Sequence, residues 1–124
     1  MKIIEAKTKT RVFNFTNNYQ FSTRLKLNHS NIETVTETRL LGTIVTNDLT
    51  WERNTEALVK KANERMEMLR RLSSFGAPHS DLKHAFVVFI RSLLEHSSDV
   101  WHSSLTAESQ NDLERVQKIA LKLF

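Results

Sequence analysis

The spacing of apolar residues changes near residue 50, and this change constrains the fold more than any other feature of the chain. Before it, apolar and polar residues alternate in short runs, as they do in half-buried β-strands. After it, apolar residues recur at every third or fourth position, as they do on one face of an α-helix. We therefore predict an α+β fold, with a β element at residues 1–50 and helices at residues 51–124.

The β element is predicted to consist of antiparallel hairpins. One hairpin would join strands at residues 11–16 and 19–27 through a turn at Asn17 and Asn18. The polar run at residues 28–31 then separates this hairpin from the next extended stretches.

Those stretches are residues 32–36 and 39–46, followed by a turn at residues 46–50. Apolar residues fall on both faces of the second stretch, so we expect it to be covered on both sides: Leu40 and Ile44 on one face, Leu41 and Val45 on the other. Gly42 inside this strand predicts a bulge, or a close approach of another backbone or a ligand.

Three helices are predicted after residue 50. The first carries an apolar stripe at steps of four, four, three and three: Leu58, Ala62, Met66, Leu69, Leu72. Gly76 is placed for a left-handed cap at the end of this helix. The second would be capped by Ser80 and holds the most apolar segment of the chain: Leu82, Phe86, Phe89, Ile90, Leu93, Leu94. The third would be capped by Thr106 and reaches Phe124 without a stop signal, so we expect it to be part of a longer protein.

Composition excludes several classes of protein. The 124 residues include no cysteine, which excludes disulfides, thiolate zinc sites and cysteine nucleophiles. Two glycines and one proline disfavour glycine-rich phosphate loops and turn-rich β-sandwiches. No secretion signal or membrane span is apparent, so we expect an intracellular protein. The formal charge of +4 arises before residue 77, in a segment that contains thirteen basic and eight acidic residues.

No residue pattern predicts catalysis. The four aspartates lie in turns or near helix starts, where this residue caps and forms turn hydrogen bonds: Asp48, Asp81, Asp99, Asp112. His96 and His102 bracket a predicted helix end, and their spacing gives only weak support for a metal site. The serines lack the glycines that flank a nucleophile elbow. We expect no enzyme activity from the isolated chain and no cofactor or metal bound to it.

Two groups of basic residues are candidates for contact with nucleic-acid phosphates. Lys7, Lys9 and Arg11 would share one face of a regular strand, although edge-strand lysines also serve to prevent aggregation. The first helix adds six more basic residues: Arg53, Lys60, Lys61, Arg65, Arg70, Arg71. Acidic residues are interleaved with them and are predicted to form helical ion pairs, such as Glu56 with Lys60. Trp51 and Trp101 suit either base stacking or the core, and the core is the simpler interpretation.

Four segments, in this order, resemble reverse transcriptases of non-LTR retrotransposons of the jockey and LINE type: KTKTRVFNF at 7–15, TRLLGTIVTNDLTW at 38–51, LVKKANERMEMLRRLSSFGAP at 58–78, and FIRSLLEHSSDVWHSSLTAESQNDLERVQKIALK at 89–122. The resembled region follows the catalytic aspartates. The resemblance implies that residues 1–50 are the end of the palm, with a primer-grip hairpin at Leu41 and Gly42. It also implies that residues 51–124 are the thumb, which grips a template-primer duplex of RNA or DNA.

The resemblance further implies that the aspartates which bind Mg in such a polymerase precede Met1, together with the fingers and most of the palm. The chain would then be a catalytically incompetent fragment whose partners are nucleic acid and the missing palm and fingers. Asn54 and Phe86 depart from the family, which often has His and Tyr at these positions. The alternative is a structural or self-associating module without a nucleic-acid role, which the apolar C-terminal half favours.

Overall fold

The structure, a computed structural model, describes residues 3–15 and 24–124. Short strands precede residue 50 and helices follow it, so the predicted α+β class is confirmed. The chain divides into two compact units, Met1–Thr50 and Trp51–Phe124, and each is described by itself below. Within the described residues, no helix is long and apolar enough to cross a membrane.

The described residues of the first unit form three pairs of short strands. A 3-10 turn at Glu5–Lys7 precedes β1 (Lys9–Thr10), which pairs in parallel with β4 (Glu33–Thr34). The other two pairs are antiparallel, the orientation predicted for the β element, and join β2 (Lys26–Leu27) to β3 (Ser30–Asn31) and β5 (Glu37–Leu40) to β6 (Thr43–Thr46). The pairing of β2 with β3 differs from the prediction, which placed residues 28–31 in a polar segment between hairpins. The parallel pair was not predicted, because it joins segments that are far apart in the chain.

Two predicted strands of this unit are wrong in the described residues. Residues 11–15 form no strand, while residues 16–23, including the predicted turn at Asn17 and Asn18, lie outside the described residues. The stretch 39–46 is the greater part of the β5–β6 hairpin and not one strand, since Leu41 and Gly42 both have positive φ angles, 49° and 85°. Such angles at both central residues define a type I′ turn. Gly42 is therefore at a hairpin tip and not at a bulge.

The second unit begins with α1 (Glu52–Ser74), the longest helix. It ends as predicted, since Gly76 has a φ of 81° and donates its N–H to the Ser73 carbonyl at 3.0 Å. A continuous helical run follows, in which α2 (His79–Ala85) leads into a π-helical segment (Phe86–Arg91) and then α3 (Ser92–Glu95). The predicted Ser80 cap is wrong, because α2 already begins at His79, after Pro78.

A short helix that was not predicted, α4 (Ser98–Trp101), and a 3-10 turn (His102–Ser104) lie between this run and the last helix. The last helix is α5 (Ala107–Leu121), and the Thr106 hydroxyl accepts the Ser109 N–H at 3.3 Å, which confirms the predicted cap. Buried residues of α1, the helical run and α5 form one core: Ala62, Met66, Leu69, Leu82, Ile90, Leu94, Val116, Ala120.

Two residues of the predicted apolar stripe and segment lie outside this core and are exposed. Leu72 is 44% exposed and Phe89 is 59% exposed. Phe89 lies in the π-helical segment, where the wider turn rotates side chains away from the positions that a 3.6-residue period gives. Leu72 lies in the last turn of α1, at the edge of the packed face.

Candidate nucleic-acid interface

The three basic residues predicted to share one strand face, Lys7, Lys9 and Arg11, do not form one exposed row. Lys7 ends the 3-10 turn, and only Lys9 lies in a strand. The Lys9 ammonium is 3.7 Å from the Glu33 carboxylate on the paired strand, an exposed ion pair that contributes little to stability. All three guanidinium nitrogens of Arg11 are buried, and its guanidinium carbon is 5.9 Å from the centre of the Phe13 ring. Lys7 and Lys9 therefore reach solvent, whereas the Arg11 charge does not.

The β5–β6 hairpin presents its tip to solvent. Leu41 is 86% exposed, although it is a large apolar residue in a left-handed backbone conformation. The strands on either side are partly covered, with Thr43 and Thr46 buried. The prediction that both faces of the stretch 39–46 are covered is therefore wrong. The hairpin instead projects an exposed Leu41-Gly42 tip.

Asp48 stabilises the turn that follows this hairpin. Its Oδ1 accepts hydrogen bonds from the Thr46 hydroxyl at 2.6 Å, the Thr50 hydroxyl at 3.0 Å and the Thr50 N–H at 3.2 Å. The Thr46 bond, followed by those from Thr50, holds the pKa of the Asp48 carboxyl below its usual value. Asp48 has the turn role predicted from the sequence and is not placed as a catalytic acid.

The second unit presents the larger set of cations, all exposed along α1: Arg53, Lys60, Lys61, Arg65, Arg70, Arg71. Some already have a partner. Arg70 pairs with Glu67 at 3.1 Å, and Arg65 donates from Nη1 to the backbone carbonyl of Phe89. The predicted pair of Glu56 with Lys60 is absent from the described residues, as is common for exposed helical pairs of small net energy.

Three of the α1 cations have neither an acidic partner within 4 Å nor a side-chain hydrogen bond among the described residues: Lys60, Lys61 and Arg71. Lys60 and Arg71 are eleven positions apart, which is close to three full turns and about 16 Å along one face of the helix. Lys61 lies about 100° around the helix from Lys60. The three charges could follow a phosphate backbone that runs along α1.

Carboxylates on the same helix reduce this positive potential. Glu56, Glu64 and Glu67 lie close to the face that carries Lys60, because each is four or seven positions away. Over α1 as a whole six cations oppose four carboxylates. The resulting field is only weakly positive, so binding to this face would be weak and strongly dependent on salt.

The two tryptophans have different surroundings. Trp101 is 1% exposed, and its indole N–H donates to the His96 carbonyl at 3.0 Å. This residue belongs to the core, and it cannot stack on a base. Trp51 is half-buried just before α1, where the Thr55 N–H donates to its carbonyl at 2.9 Å. The core interpretation is therefore confirmed for Trp101.

A cavity of about 680 Å³ lies between α3, α4 and α5. Its lining includes three carboxylates, two of which already have cationic partners: Glu95 with Arg91 at 2.7 Å and Glu114 with Lys118 at 3.3 Å. His102 contributes to the lining, but in the part of the chain that the structure describes no three acidic or histidine side chains are placed to hold a metal ion.

Comparisons of the chain with protein-family models, with curated proteins and with solved structures find no match. We therefore infer the function of the chain from its own residues and geometry, together with the resemblance described above.

Proposed function

We propose that the chain is a thumb-like, sequence-independent nucleic-acid-binding segment similar to the palm end and thumb of non-LTR reverse transcriptases. The observation that carries this proposal is the presence of three exposed, unpaired cations on one long helix, Lys60, Lys61 and Arg71. Contacts of this kind go to phosphates, which position a protein on a duplex without reading its sequence. The family resemblance supports the same role for the helical unit.

The hairpin at Leu41 and Gly42 supports the proposal from the other unit. The resemblance assigns a primer-grip hairpin to this segment, and an exposed tip with a glycine allows a close approach of a nucleic-acid strand. We therefore propose that the tip contacts the end of a primer. The parent polymerase would supply the aspartates and their Mg ions, and the isolated chain should bind a primer-template without extending it.

Charge reversal on α1 tests the proposal. The double substitution Lys60→Glu, Lys61→Glu should weaken binding to duplexes of every sequence alike, since it removes two of the three free cations and places two acids in their stead. The matched control is Lys83→Glu, Lys122→Glu, which makes the same change of net charge at exposed lysines outside α1. Fluorescence anisotropy with a labelled RNA–DNA hybrid at low salt gives both affinities.

The two outcomes separate binding at α1 from a general charge effect. If the proposal is correct, the α1 variant loses at least tenfold in affinity and the control loses much less. Equal losses would show that net charge alone attracts the duplex, and no binding by the unmodified chain at low salt would overturn the proposal.

A second candidate, a self-associating module, is favoured by the exposed apolar side chains of the helical unit, among them Phe75, Val88 and Phe89. Light scattering with and without duplex distinguishes the two functions. A monomer that shifts in mass when the duplex is added supports nucleic-acid binding, whereas a stable oligomer that ignores the duplex supports self-association.

A further inference from the structure

A second surface of the helical unit is an apolar groove of about 260 Å³ between α1 and the helical run at residues 79–95. The one charged side chain in the lining of this groove is Arg65. The other six lining residues are apolar: Met68, Leu69, Leu72, Ala85, Phe89, Ile90. Met68 and Phe89, which are 64% and 59% exposed, form its open rim. The groove thus presents an apolar surface with a single cation and no carboxylate.

The π-helical segment explains why Arg65 is held at this place. Its wider turn alters the backbone hydrogen bonding, and two of its carbonyls are bonded by side chains. The Ser92 hydroxyl donates to the Val88 carbonyl, and the Arg65 guanidinium donates from Nη1 to the Phe89 carbonyl. Since this second bond joins α1 to the π-helical segment, it fixes the guanidinium beside the groove.

The rest of the guanidinium remains available for a ligand. Only Nη1 of Arg65 makes a hydrogen bond to the described residues, so its other N–H groups can meet a carboxylate in the two-point geometry that arginine favours. A cation that is already positioned loses less side-chain freedom when it binds. The groove is therefore prepared for a ligand that is apolar along its length and acidic at one end.

The exposed strip of α1 beside the groove extends this pattern. It consists of residues at steps of four, three, four and three, with two cations followed by three apolar residues, the last just past the end of α1: Lys61, Arg65, Met68, Leu72, Phe75. The exposed carboxylate of Glu64 lies beside the Lys61 end of this strip. The strip is about 21 Å long, which matches the span of a short helical peptide with three or four apolar anchors.

We propose that this groove docks an amphipathic helix of a partner protein, whose apolar face packs on the groove and whose carboxylate pairs with Arg65. The charge of the groove selects this occupant, because an acidic group is needed at its basic end. A second copy seated on this groove would make the chain a dimer, which light scattering detects. The inference does not depend on nucleic-acid binding, since Arg65 is not one of the three cations assigned to phosphates.

A designed peptide tests the proposal with the full chain. The probe is a fluorescein-labelled 18-residue helical peptide with Leu along one face and Glu at one end of that face, and its matched partner has Gln in place of Glu. Anisotropy should show saturable binding of the Glu peptide with a Kd below about 100 µM. Arg65→Gln should weaken it about fivefold, as expected for an exposed ion pair, and leave the Gln peptide unchanged.

Matched variants separate the groove from the rest of the surface. Arg71→Gln removes another exposed charge of α1, one outside the groove, and should leave peptide binding unchanged. Leu72→Asp places an acid in the groove and should weaken binding at least tenfold, whereas Leu121→Asp on α5 should not. Leu72 and Leu121 are both exposed enough that neither change should unfold the helical unit.

Three results would overturn the proposal. The first is the absence of saturable binding by the Glu peptide. The second is an equal loss for Arg65→Gln and Arg71→Gln, which would reduce the effect to net charge. The third is occupation of the groove by a nucleic-acid duplex or by a second copy of the chain. The duplex would displace the peptide in an Arg65-dependent manner, and a second copy would appear in light scattering as a dimer that Leu72→Asp dissociates.

Discussion

Two methionines of α1 provide a sharp test of the packing of the helical unit. Met66 is 2% exposed in the core shared by α1, the helical run and α5, whereas Met68, two positions later, is 64% exposed. Replacing each by Ala removes the same atoms from the same helix. The difference between the two substitutions therefore measures burial, with helix propensity held constant.

The expected magnitudes follow from this burial. Met66→Ala loses the transfer free energy of a buried side chain and leaves a cavity, which together cost about 3 kcal/mol within the usual range of 2–5. Met68→Ala should change the free energy of unfolding by less than about 0.5 kcal/mol. With a urea m-value near 2 kcal/mol per molar, the midpoint of unfolding should fall by about 1.5 M for the first variant and stay almost unchanged for the second.

Circular dichroism at 222 nm during a urea titration is the assay, because every α-helix of the described residues belongs to the second unit. A loss for Met68→Ala equal to that for Met66→Ala would refute the reasoning, since it would mean that α1 does not bury the face described above. Equal and negligible losses would refute it too.

Three further predictions concern the turn, the hairpin and the buried indole. Because hydrogen bonds lower the pKa of Asp48, its ionised carboxylate stabilises the fold at neutral pH, and this stabilisation is lost as pH falls below the ordinary aspartate value of 3.8. The variant Asp48→Asn should therefore be less stable than the unmodified chain at neutral pH. Acid denaturation curves should show this difference in stability shrinking as the pH is lowered. Gly42→Val should destabilise the hairpin by about 1–2 kcal/mol, because a β-branched residue is strained at a φ of 85°, and loss of amide protection in β5 and β6 would report it. Trp101→Phe removes the hydrogen bond to the His96 carbonyl and part of the core volume, so thermal unfolding should show a loss of about 2 kcal/mol with nucleic-acid affinity unchanged.

The helical half of the fold could be predicted from the sequence because its signals are local. Leu58, Met66 and Leu69 repeat at helical spacing, Gly76 is required for a left-handed cap, and Thr106 caps α5. Each of these features acts within one or two turns of its own position, so the printed residues are sufficient to find it.

The hairpin could not be predicted because its turn lacks the usual residues. Type I′ turns prefer Asn-Gly or Asp-Gly, whereas this turn has Leu41 before Gly42. The run at residues 39–46 therefore reads as one apolar strand. The resemblance to reverse transcriptases did imply a hairpin here, from knowledge of the family and not from periodicity.

The apolar groove could not be predicted because it depends on a change of helical register and on a long-range contact. Nothing in the spacing of residues 86–91 indicates a π-helix, so the sequence does not separate the exposed Phe89 from the buried Ile90 beside it. Arg65 and Phe89 are 24 positions apart, and their hydrogen bond exists only when α1 packs against the helical run. The candidate phosphate contacts of α1 were identified as a set, but their ion pairs could not be identified from the sequence.

The salt dependence of duplex binding tests the central claim most directly. If Lys60, Lys61 and Arg71 each neutralise one phosphate, the logarithm of the association constant should fall with the logarithm of salt concentration at a slope of about −2.7 for double-stranded DNA. The variant Lys60→Glu, Lys61→Glu should show a slope near −1, while Lys83→Glu, Lys122→Glu should keep the original slope. A slope near zero for the unmodified chain, or the same slope for all three proteins, would contradict the assignment of phosphate binding to α1.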